Sequence, residues 1–352
     1  MLWAKTKSHA RYNLATSGVQ HYPLSELPVS WSDLELSGPS FYGYPPLQSA
    51  LAAHCGVDPE CLVAANGTSM ANHLAMAALL EPGDEVLIEH PTYELIVSTA
   101  QYLGADVKRF YRDPENGFAL DPTALQKALT SRTRLIVLTN LHNPSSSLAN
   151  ESAVREIGDI ARSVGGRVLV DEVYLDAVFE DTPRSSFFLG DHFIVTNSLT
   201  KVYGLSGLRC GWVLAQPDLA QRMWRLNDLF GVIPAHAAER LSIIALQEMP
   251  RIRETARRLL NRNQEIVNNF LSLQPALEAE QLQQGTVVFP RLRSGRVDRF
   301  CAFLRENYET TVVPGGFFEM PNHFRIGIGC DPALLQAGLG RLGDAIAAFP
   351  HF

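Results

Sequence analysis

The 352-residue sequence lacks the features of several common classes of protein. No uninterrupted apolar run approaches the ~20 residues of a membrane-spanning helix, and the N-terminus has no apolar segment before a small-residue cleavage site. The cysteines are odd in number, scattered and without CxxC spacing: Cys55, Cys61, Cys210, Cys301 and Cys330. Such cysteines predict neither a disulfide framework nor a metal site. We therefore expect a cytoplasmic protein with no membrane partner.

A net positive charge and a dinucleotide-binding fingerprint are missing as well. The net charge of −7 and the absence of a basic patch with interleaved aromatics argue against a nucleic-acid partner. No GxGxxG with an acidic residue beyond the next strand is present, which argues against a nicotinamide dehydrogenase. The hydrophobic fraction of 46% is that of an ordinary globular protein. A chain of this length predicts one large domain with a smaller companion.

Lysine is scarce, and one lysine is therefore conspicuous. The sequence has five: Lys5, Lys7, Lys108, Lys127 and Lys201. The last of them lies in NSLTKVYGLSGLRCGW, where hydroxyls, glycines and apolar residues could bury an amine. Desolvation lowers the pKa of an ammonium, and a neutral amine attacks carbonyls to form Schiff bases. The alternative is that Lys201 is an ordinary solvated lysine in a loop.

Short apolar runs alternate with amphipathic segments from about residue 60 to residue 215, which is typical of βαβ units. Several runs are apolar throughout, as in a sheet that helices cover on both faces. The predicted strands are Glu60–Ala65, Glu85–Glu89, Asp106–Tyr111, Arg134–Thr139, Arg167–Asp171, Phe193–Thr196 and Cys210–Ala215. The predicted helices between them are Ser69–Leu80, Thr92–Leu103, Pro122–Leu129 and Glu151–Val164.

After Pro217 the pattern changes to long, arginine-rich helical stretches and then to a second, smaller α/β unit. The long helix Ile252–Leu273 could bridge two domains. The smaller unit has predicted strands near Val287–Pro290, Thr311–Val313 and His323–Ile328 and a final helix Pro332–Phe349.

Polar residues gather where the central strands end, which is where open α/β sheets bind ligands. The turn at residues 66–69 joins a strand to a helix, and backbone N–H groups at a helix N-terminus suit a phosphate. Arg209, eight residues beyond Lys201, offers a planar donor fork for the same anion. The alternatives are that residues 66–69 form an ordinary strand-to-helix turn and that Arg209 is a surface residue.

Asp171 ends the apolar run RVLVD, so its carboxylate is predicted to be buried and to need a partner. A protonated pyridine nitrogen would serve, because the pair would keep that ring an electron sink. Tyr174 and Asn143 could donate to the phenolic oxygen of such a ring, and Tyr93 could lie flat on it. The alternatives are that Asp171, Tyr174 and Asn143 are loop caps or turn residues and that Tyr93 is a core tyrosine.

The most specific motif is Ser198-Leu-Thr-Lys201 followed by Gly207-Leu-Arg209-Cys-Gly211. It resembles the S-x-[ST]-K-x5-G-x-R-x-G signature of the class I/II aminotransferases, which are fold-type-I enzymes that use pyridoxal 5′-phosphate. The resemblance runs in order from about residue 10 to residue 345. It implies an α/β fold with a mostly parallel seven-stranded sheet in a large domain, residues 36–245. Residues 1–35 and 246–352 would form the small domain.

The resemblance also implies a role for each matching residue. Lys201 would form the Schiff base with the cofactor, with Asp171 and Tyr93 as the other catalytic residues. The implied cofactor contacts are Asn66, Gly67 and Thr68 in the phosphate turn, Ser198, Thr200 and Arg209 on the phosphate, Tyr93 on the ring face, Asn143 and Tyr174 on O3′, and Asp171 on the ring nitrogen. Arg325 in NHFRIGIG would grip the substrate α-carboxylate, with Asn143 and Gly18 nearby.

The implied activity is transfer of an amino group from an L-amino acid to a 2-oxo acid by a ping-pong mechanism. The same cofactor site also supports lyase, decarboxylase and cyclase or dehydratase reactions, so these stay open. A non-catalytic sensor is a further alternative, but such proteins usually carry a DNA-binding module and we expect none before residue 10.

The sequence also departs from the family pattern. The usual N-P-T-G is replaced by Asn143-Pro144-Ser145-Ser146, and the stretch GPSFYGYPPLQSAL is compressed, with Gln48 in place of an arginine. The family is homodimeric and lends a tyrosine to its neighbour's phosphate, which we assign to Tyr42, with Tyr44 as the rival. We identify no second arginine for a dicarboxylate substrate. The histidines His54, His73, His142 and His236 are expected to be structural.

Overall fold

The computed structural model describes residues 2–39, 41–231 and 233–349 of the chain. Its helices are α1 (Leu2–Thr6), α2 (Pro45–Cys55), α3 (Thr68–Leu79), α4 (Glu94–Tyr102), α5 (Pro122–Ala128), α6 (Glu151–Ser163), α7 (Pro217–Asn227), α8 (His236–Gln247), α9 (Met249–Ser272), α10 (Val297–Tyr308) and α11 (Pro332–Ala348). Its strands are β1 (Tyr12–Asn13), β2 (Leu62–Asn66), β3 (Glu85–His90), β4 (Asp106–Tyr111), β5 (Thr133–Thr139), β6 (Arg167–Asp171), β7 (Phe193–Ser198), β8 (Cys210–Leu214), β9 (Leu277–Glu278), β10 (Val287–Val288), β11 (Arg291–Leu292), β12 (Thr310–Thr311), β13 (Val313–Pro314) and β14 (Phe324–Gly327).

The central sheet has seven strands in the order β2-β8-β7-β6-β5-β3-β4. Strand β8 runs antiparallel to both of its neighbours, and the other pairs are parallel. The predicted mostly parallel α/β sheet is therefore confirmed, and the seven predicted strands differ from the observed ones by at most two residues at either end.

Alternate residues of the central strands enter two different cores, because successive side chains of a strand point to opposite faces. In β5, Ile136 and Leu138 pack on the face that includes Ile157 of α6. Leu135 and Val137 pack on the opposite face, which includes α3 and α7. Helices on both faces explain why these strands are apolar without alternation.

The smaller unit is built from β10, β13 and β14 with helices α10 and α11. The single predicted strand Thr311–Val313 is wrong, since the chain there divides into β12 and β13. Strand β12 pairs in parallel with β1 near the N-terminus, whereas β13 pairs antiparallel with β14. The change of partner at Val312 breaks the run. The pairing of β1 with β12 supports the proposed small domain of residues 1–35 and 246–352.

The carboxyl ends of β2, β5, β6 and β7 meet at one edge of the sheet, and the antiparallel β8 begins there. Polar residues that follow these strands are thereby brought together, although they are far apart in the sequence. Among the described residues, no helix is both long and apolar enough to cross a membrane. In that same part of the chain, no group of three or more potential metal ligands is assembled.

Candidate active site

A cleft of about 430 Å³ opens at this edge of the sheet. Most residues that the sequence predicts for the site line it: Thr68, Tyr93, Asn143, Asp171, Tyr174, Ser198, Thr200, Lys201, Arg209 and Arg325. It is also lined by Trp3, Lys5, Ser17, Asn72, Phe317 and Phe318, which the sequence analysis did not select. Asn66, Gly67 and Gly18 are not among the lining residues; the first two adjoin Arg209, and Gly18 adjoins Lys201.

One end of the cleft is formed by the turn between β2 and α3. Gly67 has φ +78° and precedes the first residue of α3. A Cβ atom at this position would lie 2.3 Å from Nη2 of Arg209, so the glycine makes room for the guanidinium. Arg209 donates from Nη2 to the carbonyl oxygen of Asn66 at 3.1 Å, and Thr68 donates from Oγ1 to Oγ of Ser198 at 2.8 Å.

This end has the chemistry of a phosphate site. The backbone N–H groups at the start of α3 have no partner within the helix and attract anions. Thr200 adds a hydroxyl that is buried and has no hydrogen-bond partner in the described part of the chain. Together with the Arg209 cation, these donors fit a phosphate dianion, such as that of pyridoxal 5′-phosphate.

Asp171 lies at the end of β6, fully within the protein. Its Oδ2 accepts a hydrogen bond from Nδ2 of Asn72 at 2.8 Å, and its Oδ1 accepts one from the backbone N–H of Val173 at 3.1 Å. Burial raises the pKa of Asp171 to about 6, against the effect of these two bonds and of the positive charge of Lys201. A cationic N–H group beside this carboxylate would offset its desolvation, so the position fits the ring nitrogen of the cofactor.

The sequence analysis missed Asn72. Its Oδ1 accepts from Oγ1 of Thr196 at 2.6 Å, so its amide is fixed at both ends. The available signal was its spacing, since Asn72 lies four residues after Thr68 on α3 and therefore on the same face of the helix.

Lys201 is half-buried and points into the cleft, where its Nζ lies 3.0 Å from Oγ of Ser17. The hydroxyl of Tyr174 is 2.9 Å from the same oxygen. Gly18 packs against the backbone of Lys201, since a Cβ atom there would lie 3.1 Å from the lysine's carbonyl oxygen. Its predicted proximity to the substrate carboxylate stays a prediction, and the neighbouring Ser17 supplies the side chain that faces the lysine.

Arg325 lies on β14, and its guanidinium reaches the opposite end of the cleft. It donates to Oδ1 of Asn143 at 2.9 Å and to the carbonyl oxygen of Ala15 at 3.2 Å, and both acceptors are neutral. Its Nε is buried without a partner among the described residues, and its Cζ lies 5.1 Å from the ring centroid of Phe318. Burial lowers the pKa of Arg325. A buried arginine with a donor to spare fits a carboxylate.

Asn143 is linked through Thr139 to a buried ion pair. Its backbone N–H donates to Oγ1 of Thr139 at 3.1 Å. The N–H and the hydroxyl of Thr139 both donate to Oε1 of Glu89 at 2.7 Å, and Oε2 of Glu89 lies 2.8 Å from Nε of Arg112. Burial raises the pKa of Glu89, and Arg112 opposes that change. A continuous chain of polar contacts therefore runs from Arg112 to Arg325.

Tyr93 precedes α4 and is half-buried, and burial raises its pKa. Its phenol ring lines the cleft beside Asp171 and Asn143, as a ring that covers a cofactor must. Its stacking role stays a prediction.

Tyr42 lies outside the cleft of its own chain. It is 49% exposed, and its ring centroid is 6.2 Å from that of Trp224. Tyr44, the rival, packs edge-on against His236 at 4.8 Å and is less exposed. Of the two tyrosines, Tyr42 is the more exposed, and its contact with a neighbouring subunit stays a prediction.

The histidines His54, His73, His142 and His236 are absent from the described residues that line the cleft. All four contact aromatic rings, those of Trp212, Phe230, Phe118 and Tyr44. His142 is buried, with Nε2 at 2.9 Å from the carbonyl oxygen of Pro91. Burial lowers its pKa well below the ordinary value. These contacts agree with structural roles.

Comparisons with known proteins agree with this geometry. Residues 34–342 match the model of the family "Aminotransferase class I and II". Capreomycidine synthase of Streptomyces vinaceus is 29% identical over 355 residues, which cover 96% of this chain and 90% of that protein.

Solved structures give the same fold. A PLP-dependent aminotransferase from Streptococcus suis superposes with a TM-score of 0.93 at 26% identity, over 99% of this chain and 96% of that one. The PLP-dependent cyclase OrfR superposes with a TM-score of 0.89 at 21% identity, over 98% and 95% of the two chains. The chain therefore belongs to the class I and II aminotransferases, a family of fold-type-I enzymes that depend on pyridoxal 5′-phosphate.

Proposed function

We propose that the protein is an aminotransferase that moves an amino group between an L-amino acid and a 2-oxo acid by a ping-pong mechanism. One observation carries this proposal: a single cleft is lined by Lys201, by the buried carboxylate of Asp171 and by the buried guanidinium of Arg325. These are the groups needed to transfer a proton, to keep a pyridine ring cationic and to bind an α-carboxylate.

The cofactor would be held by residues on the large sheet. Its phosphate fits the N-terminus of α3 with Thr68, Ser198, Thr200 and Arg209. Its ring nitrogen fits Asp171, and its phenolic oxygen fits the amide of Asn143 and the hydroxyl of Tyr174. When bound, pyridoxal 5′-phosphate supplies an electron sink for the electrons left at the substrate Cα.

The protein's own residues then place and move a proton. Arg325 binds the substrate carboxylate, with Asn143 holding the guanidinium in position through its Oδ1. Lys201 would hold the cofactor through Nζ in the resting enzyme, and a substrate amine would free it. The freed Nζ would then take the proton from the substrate Cα and act as the proton donor later in the reaction. The first substrate would leave as an oxo acid, and a second substrate, a 2-oxo acid, would receive the nitrogen that stays behind.

A PLP-dependent cyclase, lyase or decarboxylase is the second candidate. Two relatives support it, because one is a synthase and another is a cyclase by name. The loop after Asn143 supports it as well. Ser146 there has φ +62° and donates to the carbonyl oxygen of Val287 at 2.8 Å, in place of the glycine of the usual motif.

The protein is further proposed to be a homodimer in which Tyr42 reaches the partner's phosphate site. Large hydrophobic side chains are exposed on the single chain: Trp31 (90%), Leu36 (89%), Phe41 (68%) and Leu229 (77%). Burying them against a second copy would remove this apolar surface from water. Sedimentation of the purified protein tests this, and a monomer at micromolar concentration would contradict it.

The reaction is tested by incubating the purified protein with pyridoxal 5′-phosphate and single amino acids, with and without 2-oxoglutarate. Oxo acid that forms only with the acceptor supports transamination. Ammonia, CO2 or a cyclic product without the acceptor supports the second candidate.

Lys201→Ala should abolish turnover with any substrate and should remove the absorbance of the Schiff base between protein and cofactor, because the variant lacks the amine that forms it. Borohydride reduction followed by peptide mass analysis should place the cofactor on Lys201 of the wild type. Lys127→Ala, which removes an exposed lysine of α5, should leave both properties unchanged. Turnover by Lys201→Ala would contradict the assignment.

A further inference from the structure

Ser17 is a buried serine that lines the cleft and is only 8% exposed. Its Oγ lies 3.0 Å from Nζ of Lys201 and 2.9 Å from the hydroxyl of Tyr174. The lysine and the tyrosine are two of the groups proposed to act on the cofactor and substrate. They meet at one oxygen atom, although Ser17 lies 184 residues from Lys201 and 157 from Tyr174.

The position of Ser17 is fixed by its backbone. Its carbonyl oxygen accepts a hydrogen bond from Oγ1 of Thr286 at 2.7 Å, which ties it to the small unit. Two residues later, the N–H of Val19 donates to the carbonyl oxygen of Lys201 at 2.8 Å. The segment thus bridges the small unit and the backbone of the lysine itself, and the hydroxyl is held before any ligand arrives.

The chemistry of an amine explains why such an oxygen matters. A lysine that has left the cofactor can rotate its long side chain freely, and it acts as a base only when its lone pair faces the Cα proton. An acceptor that binds one of its N–H groups restricts this rotation. In the structure, Lys201 and Tyr174 both donate to the Ser17 oxygen. When the Tyr174 proton is given to the phenolic oxygen of the cofactor instead, the Ser17 hydroxyl can donate to the Tyr174 oxygen while it still accepts from Nζ of Lys201.

Building on the proposed function, we infer that Ser17 is a positioning residue, whose hydroxyl holds the released Lys201 amine where it exchanges a proton with the substrate Cα. The step is a proton transfer alone: the C–H bond breaks, the proton passes to Nζ to give an ammonium, and the electron pair stays on the substrate. Ser17 neither gains nor loses a proton. It fixes the direction of the lone pair and links Lys201 to Tyr174.

The test measures exchange of the Cα proton with solvent deuterium by NMR, because this readout is shared by transaminases and lyases. Ser17→Ala should slow exchange about tenfold, the effect of losing one hydrogen bond to an ionisable group. Ser17→Thr, which keeps the hydroxyl, should recover most of the rate. The amino acid concentration at half-maximal exchange should stay within about twofold, because Arg325 sets carboxylate binding.

Ser163→Ala is the matched control, since it removes an exposed serine hydroxyl of α6 that bonds only within its helix, to the carbonyl oxygen of Ile160. It should exchange at the wild-type rate. Cofactor absorbance and thermal unfolding are measured for every variant. If Ser17→Ala does not retain the cofactor, Ser17→Cys, whose thiol is slightly larger and bonds weakly, carries the same expectation.

The outcomes separate the two proposals. If the wild type and the folded variant without the serine hydroxyl exchange the Cα proton at equal rates, the role of Ser17 is overturned. The proposed function is not affected by that result. Loss of exchange in Ser17→Thr to the level of Ser17→Ala would also overturn that role, because packing and not the hydroxyl would then matter. A wild type that binds the cofactor but exchanges no Cα proton with any amino acid would overturn the proposed function as well.

Discussion

The two ends of the cleft are built in different ways. The phosphate end consists of turns at the edge of one sheet, where the glycine at position 67 lets the backbone approach Arg209. The carboxylate end is assembled from three separate segments, which contribute Ala15, Asn143 and Arg325. The first end depends on local backbone conformation, whereas the second depends on side-chain hydrogen bonds between distant parts of the chain. Substitutions should therefore have different consequences at the two ends.

Of the substitutions that compare the two ends, Arg325→Gln should have the largest effect. Arg325→Gln removes the cation from a buried position whose remaining contacts are to neutral oxygens. Loss of charge-assisted bonds to the substrate should cost roughly 2–3 kcal/mol, about 100-fold in kcat/KM. Cofactor absorbance should persist, since the phosphate end is untouched. Steady-state kinetics with a series of amino acids measures this.

Arg291→Gln provides the control for that substitution. Arg291 also lies in the small unit, but it is partly exposed and pairs with Glu278 at 3.5 Å. Exposed ion pairs contribute little, so kcat/KM should stay within about twofold of the wild type. Equal losses in the two variants would show that Arg325 acts through the fold and not through the substrate.

A smaller effect, on the cofactor and not on the substrate, is expected at Gly67. Gly67→Ala places a side chain on a backbone with φ +78° and ψ 171°, and its Cβ would meet Arg209 at 2.3 Å. We expect the Kd for pyridoxal 5′-phosphate to rise by about tenfold, because displacing Arg209 loses a charge-assisted bond. Absorbance titration of the apoprotein measures this.

Gly165→Ala separates backbone strain from displacement of the arginine. Gly165 has φ +72°, but a Cβ there meets nothing within 4 Å. It should destabilise the protein by about 1 kcal/mol, which urea unfolding measures, and leave the Kd for the cofactor unchanged. If both alanine variants bind the cofactor with the wild-type Kd, the close approach of Arg209 to the turn is not needed for cofactor binding.

The same contrast explains what the sequence could predict. Lys201 and Arg209 belong to one contiguous motif, and the strand ends that carry Asp171 follow from apolar runs, so both were found. Ser17 and Glu89 were missed because their partners lie 184 and 50 residues away in the chain. Their hydrogen bonds are set by the packing of distant segments, for Ser17 between the two units and for Glu89 between neighbouring strands, and they leave no periodic pattern. Asn72 was missed although its spacing from Thr68 gave a signal.

The smallest effect is expected at Thr139, which tests whether the buried Glu89–Arg112 pair acts on the carboxylate end. Thr139→Val removes the hydroxyl that joins Glu89 to the N–H of Asn143, and it keeps the volume. Without this hydroxyl Asn143 is held less well, at a cost of about 1 kcal/mol in substrate binding. KM for amino acids should therefore rise by roughly fivefold, and Thr139→Ser should restore it.

Thr133 supplies the comparison, because it lies on the same strand and its hydroxyl donates to a buried carboxylate, that of Glu85, at 2.6 Å. Its end of β5 is opposite to the cleft. Thr133→Val should therefore match Thr139→Val in loss of stability to urea but not in KM. A rise of KM in both variants would mean that the general stability of the strand, and not the contact with Asn143, governs binding. A rise confined to Thr139→Val would show that the carboxylate end extends through Asn143 to an ion pair inside the sheet.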